Sequence, residues 1–325
     1  MRDVAIVGVP YSGKSTLFTA LTRAGSVGGR SNQAVVDVPD ARLAPLAQLE
    51  RSRKVVPAKL RFVDVPGGLT AQAIAAYREA DALCLVVRAF GSDAEPQPER
   101  RQLETELLLA DLVSIEGGLE RARKRARSSP EGRAEVEALE AARAALDAGR
   151  PLRGAPLDDA TGSRLKSFGL LTLKPWIVVA NVAEDESTDV ADEDVIPISA
   201  VLEAEIAALE ETEAAELRTG FGVERPGLER VVEACYRALD LVTFLTTGED
   251  ETRAWQVRRG ARAPEAAGVI HSDMERGFIR AEVVSYDDLV AAGSWAAAKS
   301  LGRLRVEGKD YVVREGDVMH VRFAV

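Results

Sequence analysis

Between Val4 and Leu21 the chain reads VAIVGVPYSGKSTLFTAL. The apolar run Val4-Ala5-Ile6-Val7 leads into Gly8, the spacing G-x-x-x-x-G-K-S closes on Gly13, Lys14 and Ser15, and Thr16 to Leu21 has helical character. A strand, a glycine loop and a helix in that order turn successive backbone N–H groups and a helix N-terminus toward one point, which makes an anion cup. Lys14 adds a mobile charge for β- and γ-phosphates, and the Ser15 hydroxyl suits Mg²⁺. The nucleotide-binding set expected here is Gly8, Pro10, Tyr11, Ser12, Gly13, Lys14, Ser15 and Thr16. Few other stretches could so constrain the fold.

The chain beyond the loop supports an α/β sheet. Ala58 to Val63 alternates as a strand should and ends in Asp64-Val65-Pro66-Gly67-Gly68. A carboxylate at a strand end followed by glycine meets the needs of a Mg²⁺ site: Asp64 would hold a metal-bound water, and the Gly67 N–H would turn toward the γ-phosphate, with Lys14 as its catalytic partner. Ala82 to Arg88 and Lys174 to Ala180 are continuous apolar runs of the kind covered on both faces of a sheet. At the carboxyl end of the second run lie Asn181, Val182, Ala183 and Glu184, and the next short strand, Val195 to Ile198, ends in Ser199-Ala200. Open α/β sheets place ligand contacts at such ends. Asn181 is expected to contact the edge of a base, with Val182, Glu184, Ser199 and Ala200 around it and a backbone N–H behind.

From Glu99 to Ala126 the period changes. Leu108, Leu112, Ile115, Leu119, Ala122 and Ala126 fall alternately four and three apart, Ser128 to Gly132 interrupts, and Val136, Leu139, Arg143 and Leu146 begin a second stripe. An inserted antiparallel helical hairpin follows, with Arg121, Arg123, Lys124, Arg125 and Arg127 near its tip, either a solvated face or a polyanion contact. After Leu241 short strands and one or two small helices read as a compact α+β module with Trp255 and Tyr311 in its core, closed by strands at Asp310 to Val313 and Val318 to Phe323. The expected division is a nucleotide-binding domain over 1–98 and 169–240, a helical arm over 99–168 and a C-terminal module over 241–325. The net charge of -10 disfavours general binding to DNA or other polyanions, so any nucleic-acid contact must be local. Cys84 and Cys235, both in apolar settings, are expected as buried free thiols in a cytoplasmic protein. No apolar run is long enough to cross a membrane.

These residues resemble a known family. GVPYSGKSTLF, VDVPG, VVANVAEDE, ISAVLEAEIAALE, the C-terminal run RAWQVRRGARAPEAAGVIHSDMERGFIRAEVVSYDDL and VEGKDYVVREGDVMHVRF together resemble the YchF or Obg-like ATPase family over nearly the whole chain. The resemblance implies a P-loop NTPase sheet with helices on both faces, an inserted α-helical hairpin arm and a C-terminal β-grasp (TGS-like) domain. It also implies a protein that takes ATP with Mg²⁺ in preference to GTP, hydrolyses it slowly and associates with the ribosome; a monomer without DNA or membrane partners is expected. GTPases of this class carry Asn-Lys-x-Asp, whose Asp pairs with two N–H donors that adenine lacks; this chain has Asn181, Val182, Ala183 and a permissive Glu184, so the usual penalty against adenine is gone and the implied preference for ATP has a physical reading. Four departures accompany the resemblance. Tyr11 stands where the family has asparagine, no threonine lies between Ser31 and Pro39, the glycine-rich switch II is cut down to Gly68-Leu69-Thr70-Ala71, and Gly91 to Pro98 lacks the family's proposed catalytic histidine. A slow ATPase switch therefore stands beside a hydrolysis-deficient or nucleotide-independent ribosome scaffold. The arm and C-terminal module leave a small-molecule kinase last. Arg258, Arg259, Arg262, Arg276 and Arg280 join the arm-tip residues as candidate ribosome contacts.

Overall fold

A computed structural model describes residues 1–24, 26–27, 32–184, 194–223 and 225–324. Most of the glycine-rich stretch at Ala24 to Arg30, with Ser31, and the Asp185-Glu186 end of the VVANVAEDE run lie outside them. The strands in chain order are β1 (Arg2–Val7), β2 (Ser26–Val27), β3 (Gln33–Asp37), β4 (Val55–Val56), β5 (Lys59–Asp64), β6 (Ala82–Ala89), β7 (Trp176–Val182), β8 (Val195–Ile198), β9 (Leu241–Thr246), β10 (Thr252–Arg258), β11 (Phe278–Ser285), β12 (Arg305–Glu307) and β13 (Asp317–Phe323). The helices are α1 (Lys14–Ala24), α2 (Leu43–Glu50), α3 (Ala71–Glu79), α4 (Pro96–Ala126), α5 (Pro130–Asp147), α6 (Asp159–Leu165), α7 (Ala200–Ile206), α8 (Glu211–Gly220), α9 (Gly227–Ala238), α10 (Ala263–Ile270), α11 (Ser272–Arg276), α12 (Tyr286–Ala292) and α13 (Trp295–Ser300). They fall into two units, one of Met1–Val36 and Arg61–Ala238, the other of Asp37–Leu60 and Leu239–Val325.

The first unit holds a sheet in the order β2-β3-β5-β1-β6-β7-β8. Its central strands are parallel, with Val4 opposite Ala82, Leu83 opposite Trp176 and Val178 opposite Val195. Ala82 to Val86 is buried throughout, which is why the run is continuously apolar rather than alternating. Ala5, Val7, Leu83 and Leu85 share a core with Tyr77 of α3 and Leu103 and Leu107 of α4, while α9 packs against β6, β7 and β8. This is the P-loop NTPase sheet that the loop spacing called for.

The helical arm begins at Pro96 rather than Glu99, with proline in the first turn where its missing N–H costs nothing. Leu103 and Leu107 bind the sheet; from Ile115 onward the apolar stripe turns to Leu139, Ala142 and Leu146 of α5. Ser129 caps α5 by accepting the Gly132 N–H at 3.2 Å. Between these two cores sits Asp111, fully buried. It accepts the backbone N–H groups of Leu171 at 2.9 Å and Thr172 at 2.7 Å, the Thr172 hydroxyl at 2.8 Å and the Arg78 guanidinium at 2.9 Å. Arg78 also donates to the carbonyls of Ala110 and Gly169, each at 2.9 Å. The base of the arm is thereby fastened to α3.

In the second unit the order is β12-β11-β13-β9-β10-β4, the C-terminal β-grasp module with one added strand. Phe244, Val257, Ala266, Ala267, Val283 and Met319 form its core, with Trp255 and Tyr311 packed against them as partly buried members. Two expectations differ. The segment Asp37–Leu60, assigned by sequence to the nucleotide domain, groups here because β4 pairs in parallel with β10, and Ser52 Oγ donates to the Gly248 carbonyl at 2.7 Å. The expected strand at Asp310 to Val313 is only a single bridge, Arg262 to Val312, while β13 pairs with β11 and β9, and β12 lies on the other edge of β11.

Removing the Asp111 carboxylate leaves Arg78 and two N–H groups without their acceptor in a dry site. Asp111→Ala is expected to cost about 3–5 kcal/mol in urea denaturation, and a loss below about 1 kcal/mol would show the network to be solvated.

Candidate functional site

The phosphate loop is shaped by two constraints. Gly13 has φ 87°, and a Cβ there would lie 1.9 Å from Asn181 Nδ2, so only glycine fits. Asn181, nearly buried, donates Nδ2–H to the Ser12 carbonyl at 3.1 Å and accepts the Ala200 N–H on Oδ1 at 3.0 Å. One side chain thus fastens the loop after β1 to the start of α7. Helix α1 starts at Lys14 and its first bond runs from the Leu17 N–H to the Gly13 carbonyl at 2.9 Å, leaving the earlier N–H groups of the first turn to point into the cup.

Tyr11 is the loop's exception. Its φ is 68° and its side chain is 90% exposed. Asparagine tolerates that left-handed conformation; tyrosine holds it at a cost of about 1–2 kcal/mol. Ser12 is buried, and its hydroxyl is without a partner among the described residues.

Across the cup, Lys14 Nζ donates to Asp64 Oδ1 at 2.5 Å and lies 3.4 Å from the Val65 carbonyl. Both side chains are largely buried, so the lysine and the carboxylate expected to serve phosphate and metal hold one another. Asp64 is fixed from behind by Asn32, whose carbonyl accepts the Asp64 N–H at 3.0 Å and whose Nδ2 donates to the Asp64 carbonyl at 3.2 Å. Gly67 and Gly68 follow, with φ 93° and 63°.

Beside the loop opens a cavity of about 530 Å³. Gly13, Thr16, Asn181, Val182, Glu184 and Ser199 line it, so the sequence-derived residues from the loop and from both strand ends do meet. Phe90, Val201 and Phe221 also line it and were missed. Phe90 sits just past the end of β6, where the strand-end rule could have found it; Phe221 follows the charge-rich α8 and carries no local signal. The N–H expected behind the base is spent within the protein, since Ala200 donates it to Asn181, and Ser199 Oγ caps α7 by accepting the Leu202 N–H at 3.3 Å. Among the described residues Asn181 retains one N–H and acceptor capacity on its oxygen.

After β6, Glu99 accepts the Arg88 N–H at 2.9 Å, and its burial pushes its carboxyl upward. The Arg88 guanidinium holds Asp93 at 3.1 Å and lowers the Asp93 carboxyl. Neither group is an imidazole: His271 is exposed in the second unit, and His320 there stacks on Trp295 at 4.0 Å. Of the arm-tip cations, Arg123 pairs with Glu140, Lys124 with Glu120 and Arg125 with Glu135, whereas Arg121 and Arg127 have no ion pair among the described residues. In the second unit Arg259 pairs with Asp240, Arg262 with Asp310 and Arg276 with Asp273, while Arg258 and Arg280 have no ion pair among the described residues.

A family profile described as a 50S ribosome-binding GTPase matches residues 3–115, and the YchF C-terminal profile, described as a protein of unknown function, matches 241–324. The chain is 41% identical to the ribosome-binding ATPase YchF of Haemophilus ducreyi over 98% of both chains. It belongs to the YchF family. The protein of the same name from Bacillus subtilis is 38% identical, also over 98% of both chains. The structure of the Schizosaccharomyces pombe YchF GTPase matches with a TM-score of 0.88 at 29% identity, covering 99% of this chain and 97% of that one. The Haemophilus alignment spans 357 positions against 325 residues here, so at least 32 of its positions have no residue in this member of the YchF family.

Because Asn181 spans two elements, Asn181→Ala is expected to lower the stability of nucleotide-free protein by about 1–3 kcal/mol. Chemical denaturation without ligand checks this; unchanged stability would mean that the amide serves a bound base alone.

Proposed function

We propose that this protein binds ATP with Mg²⁺ in preference to GTP, acts as a slow ATPase switch of the YchF family, and associates with the ribosome in the cytoplasm. The observation that carries the nucleotide reading is the cup itself: the Gly13 turn pressed against Asn181, the first turn of α1, and Lys14 poised on Asp64. In this reading Gly8, Pro10, Tyr11, Ser12, Gly13, Lys14, Ser15 and Thr16 surround the phosphates. Lys14 leaves Asp64 for phosphate oxygens. Ser15 and Asp64 present one hydroxyl and one carboxylate, hard donors that suit Mg²⁺, an ion that keeps several waters and takes its remaining ligands from phosphate. Bound Mg²⁺ supplies charge neutralisation between the terminal phosphates.

The cavity's apolar wall of Phe90, Val201 and Phe221 fits a purine face. Glu184 is exposed at its rim, and Val182 and Ala183 offer no side-chain acceptor. Guanine's two edge donors thus gain little over adenine's edge, which supports ATP as the favoured ligand. Gly67 would contact the γ-phosphate through its N–H and, with Lys14, meet charge developing on it. A second reading, nucleotide binding without appreciable turnover, is favoured by the linker Gly91 to Pro98, which has no histidine.

Ribosome association is supported by the names of the Haemophilus and Bacillus relatives and by Arg121, Arg127, Arg258 and Arg280, those of the candidate cations that have no ion pair among the described residues. No helix of the described residues is long and apolar enough to cross a membrane.

Calorimetric titration in Mg²⁺ should give tighter binding of ATP than of GTP, and Lys14→Ala should abolish both. Equal affinities would overturn the base-pocket reading, and phosphate release no faster than in the Lys14→Ala protein would select the second reading. Ribosome co-sedimentation should fall as salt rises, and further on replacing Arg121 and Arg127 with glutamine than on replacing Arg123 and Arg125.

A further inference from the structure

The fully buried Tyr77 has no role in the site as described so far. It lies near the end of α3, inside the core shared with β1 and β6, and donates its hydroxyl to the Gly68 carbonyl at 2.7 Å. We propose that Tyr77 is a positioning residue that sets the Gly67–Gly68 turn for recognition of the terminal phosphate of ATP. The proposal rests on the nucleotide reading given above and adds a specificity element to it.

Two consecutive left-handed glycines have no intrinsic preference for the shape they adopt, and an unrestrained pair would sample many others. Here the pair is held on three sides. Gly68 lies against the phosphate loop, where a Cβ would come within 3.8 Å of the Gly8 carbonyl oxygen and 3.9 Å of Pro10 Cδ. Thr70 donates its N–H to the Gly67 carbonyl at 3.3 Å and caps α3 by accepting the Ala73 N–H at 3.3 Å. Tyr77 reaches back along the whole of α3 to take the Gly68 carbonyl. The phenol stays a donor, because burial and the nearby Asp64 carboxylate push its ionisation upward.

The lever that carries the hydroxyl is itself anchored. Arg78, the next residue, grips Asp111 and two carbonyls at the base of the arm, so α3 cannot rotate without breaking a buried ion pair. The turn expected to contact the γ-phosphate is therefore fixed before nucleotide arrives, which lowers the ordering cost of binding it. ADP has no group at that position and gains nothing.

Tyr77→Phe keeps the ring and deletes only the hydroxyl. With AMP-PNP and ADP titrated calorimetrically into the full-length protein in Mg²⁺, the variant should bind AMP-PNP about three- to tenfold more weakly, the worth of one hydrogen bond, while ADP stays within about twofold. The ratio of the two affinities separates this role from a structural one, since general loosening of the domain weakens both alike. In nucleotide-free protein the Gly67 and Gly68 amides should exchange faster with solvent in the variant. An unchanged AMP-PNP to ADP ratio, or unchanged exchange at these amides, overturns the proposal. If the wild-type protein binds neither nucleotide, the nucleotide reading itself fails and takes this inference with it.

Discussion

The fold of the nucleotide unit depends on how the chain closes around Gly13. A glycine in the left-handed region leaves a gap on one side of the phosphate loop, and the Asn181 amide fills that gap so closely that no other residue could stand at position 13. The same amide accepts from Ala200, so the loop after β1, the end of β7 and the start of α7 are one hydrogen-bonded object. A cup made of backbone amides holds anions only if those amides cannot turn away, and here the restraint comes from a neutral side chain rather than from the ligand. Lys14 and Asp64, as ion-pair partners, neutralise one another across that cup.

A second fixed point lies at Asp111. Burying a carboxylate is costly unless every lone pair is used, and Asp111 accepts from two backbone amides, a hydroxyl and a guanidinium. The consequence is mechanical. Through Arg78, the helix after the Gly67–Gly68 turn and the helix that becomes the arm are tied within the same unit. The connection between Gly68 and α3 is only Leu69 and Thr70, which leaves little slack in that tie.

Much of this is legible in the sequence. Val4 to Leu21 fixed the strand, loop and helix because each part has its own local signature, and Ala82 to Arg88 read as a central strand because burial on both faces leaves no room for alternation. The heptad stripe gave the arm, but Asp111 looked like one more polar residue between apolar positions; its four partners lie elsewhere in the chain. Tyr77 was equally opaque, since nothing in AQAIAAYRE announces that a hydroxyl at its end will meet the carbonyl of Gly68. Phe221, just past the end of α8, joins the cavity from 40 positions beyond Asn181 with no local signal to announce it. Strand pairing misled at Asp310 to Val313, a run expected to close the module with Val318 to Phe323: both edges of β13 are taken by β11 and β9, and the run keeps one bridge to Arg262. Local propensity favours a strand there, yet the partner strand decides which segment is one.

The second unit is made from two separated stretches, Asp37–Leu60 and Leu239–Val325. On a translating ribosome the first stretch emerges before all of Arg61–Ala238 has been made, so β4 exists without β10. At about 5–20 residues per second that orphan interval lasts roughly ten to forty seconds. An unpaired Val55-Val56 edge is a hazard over such times, and the sequence guards it with Arg51, Arg53 and Lys54 on one side and Pro57 on the other. Once Asp250 and Glu251 have been made, Arg53 and Lys54 pair with them, so the charges that flank the waiting edge end as its ion pairs.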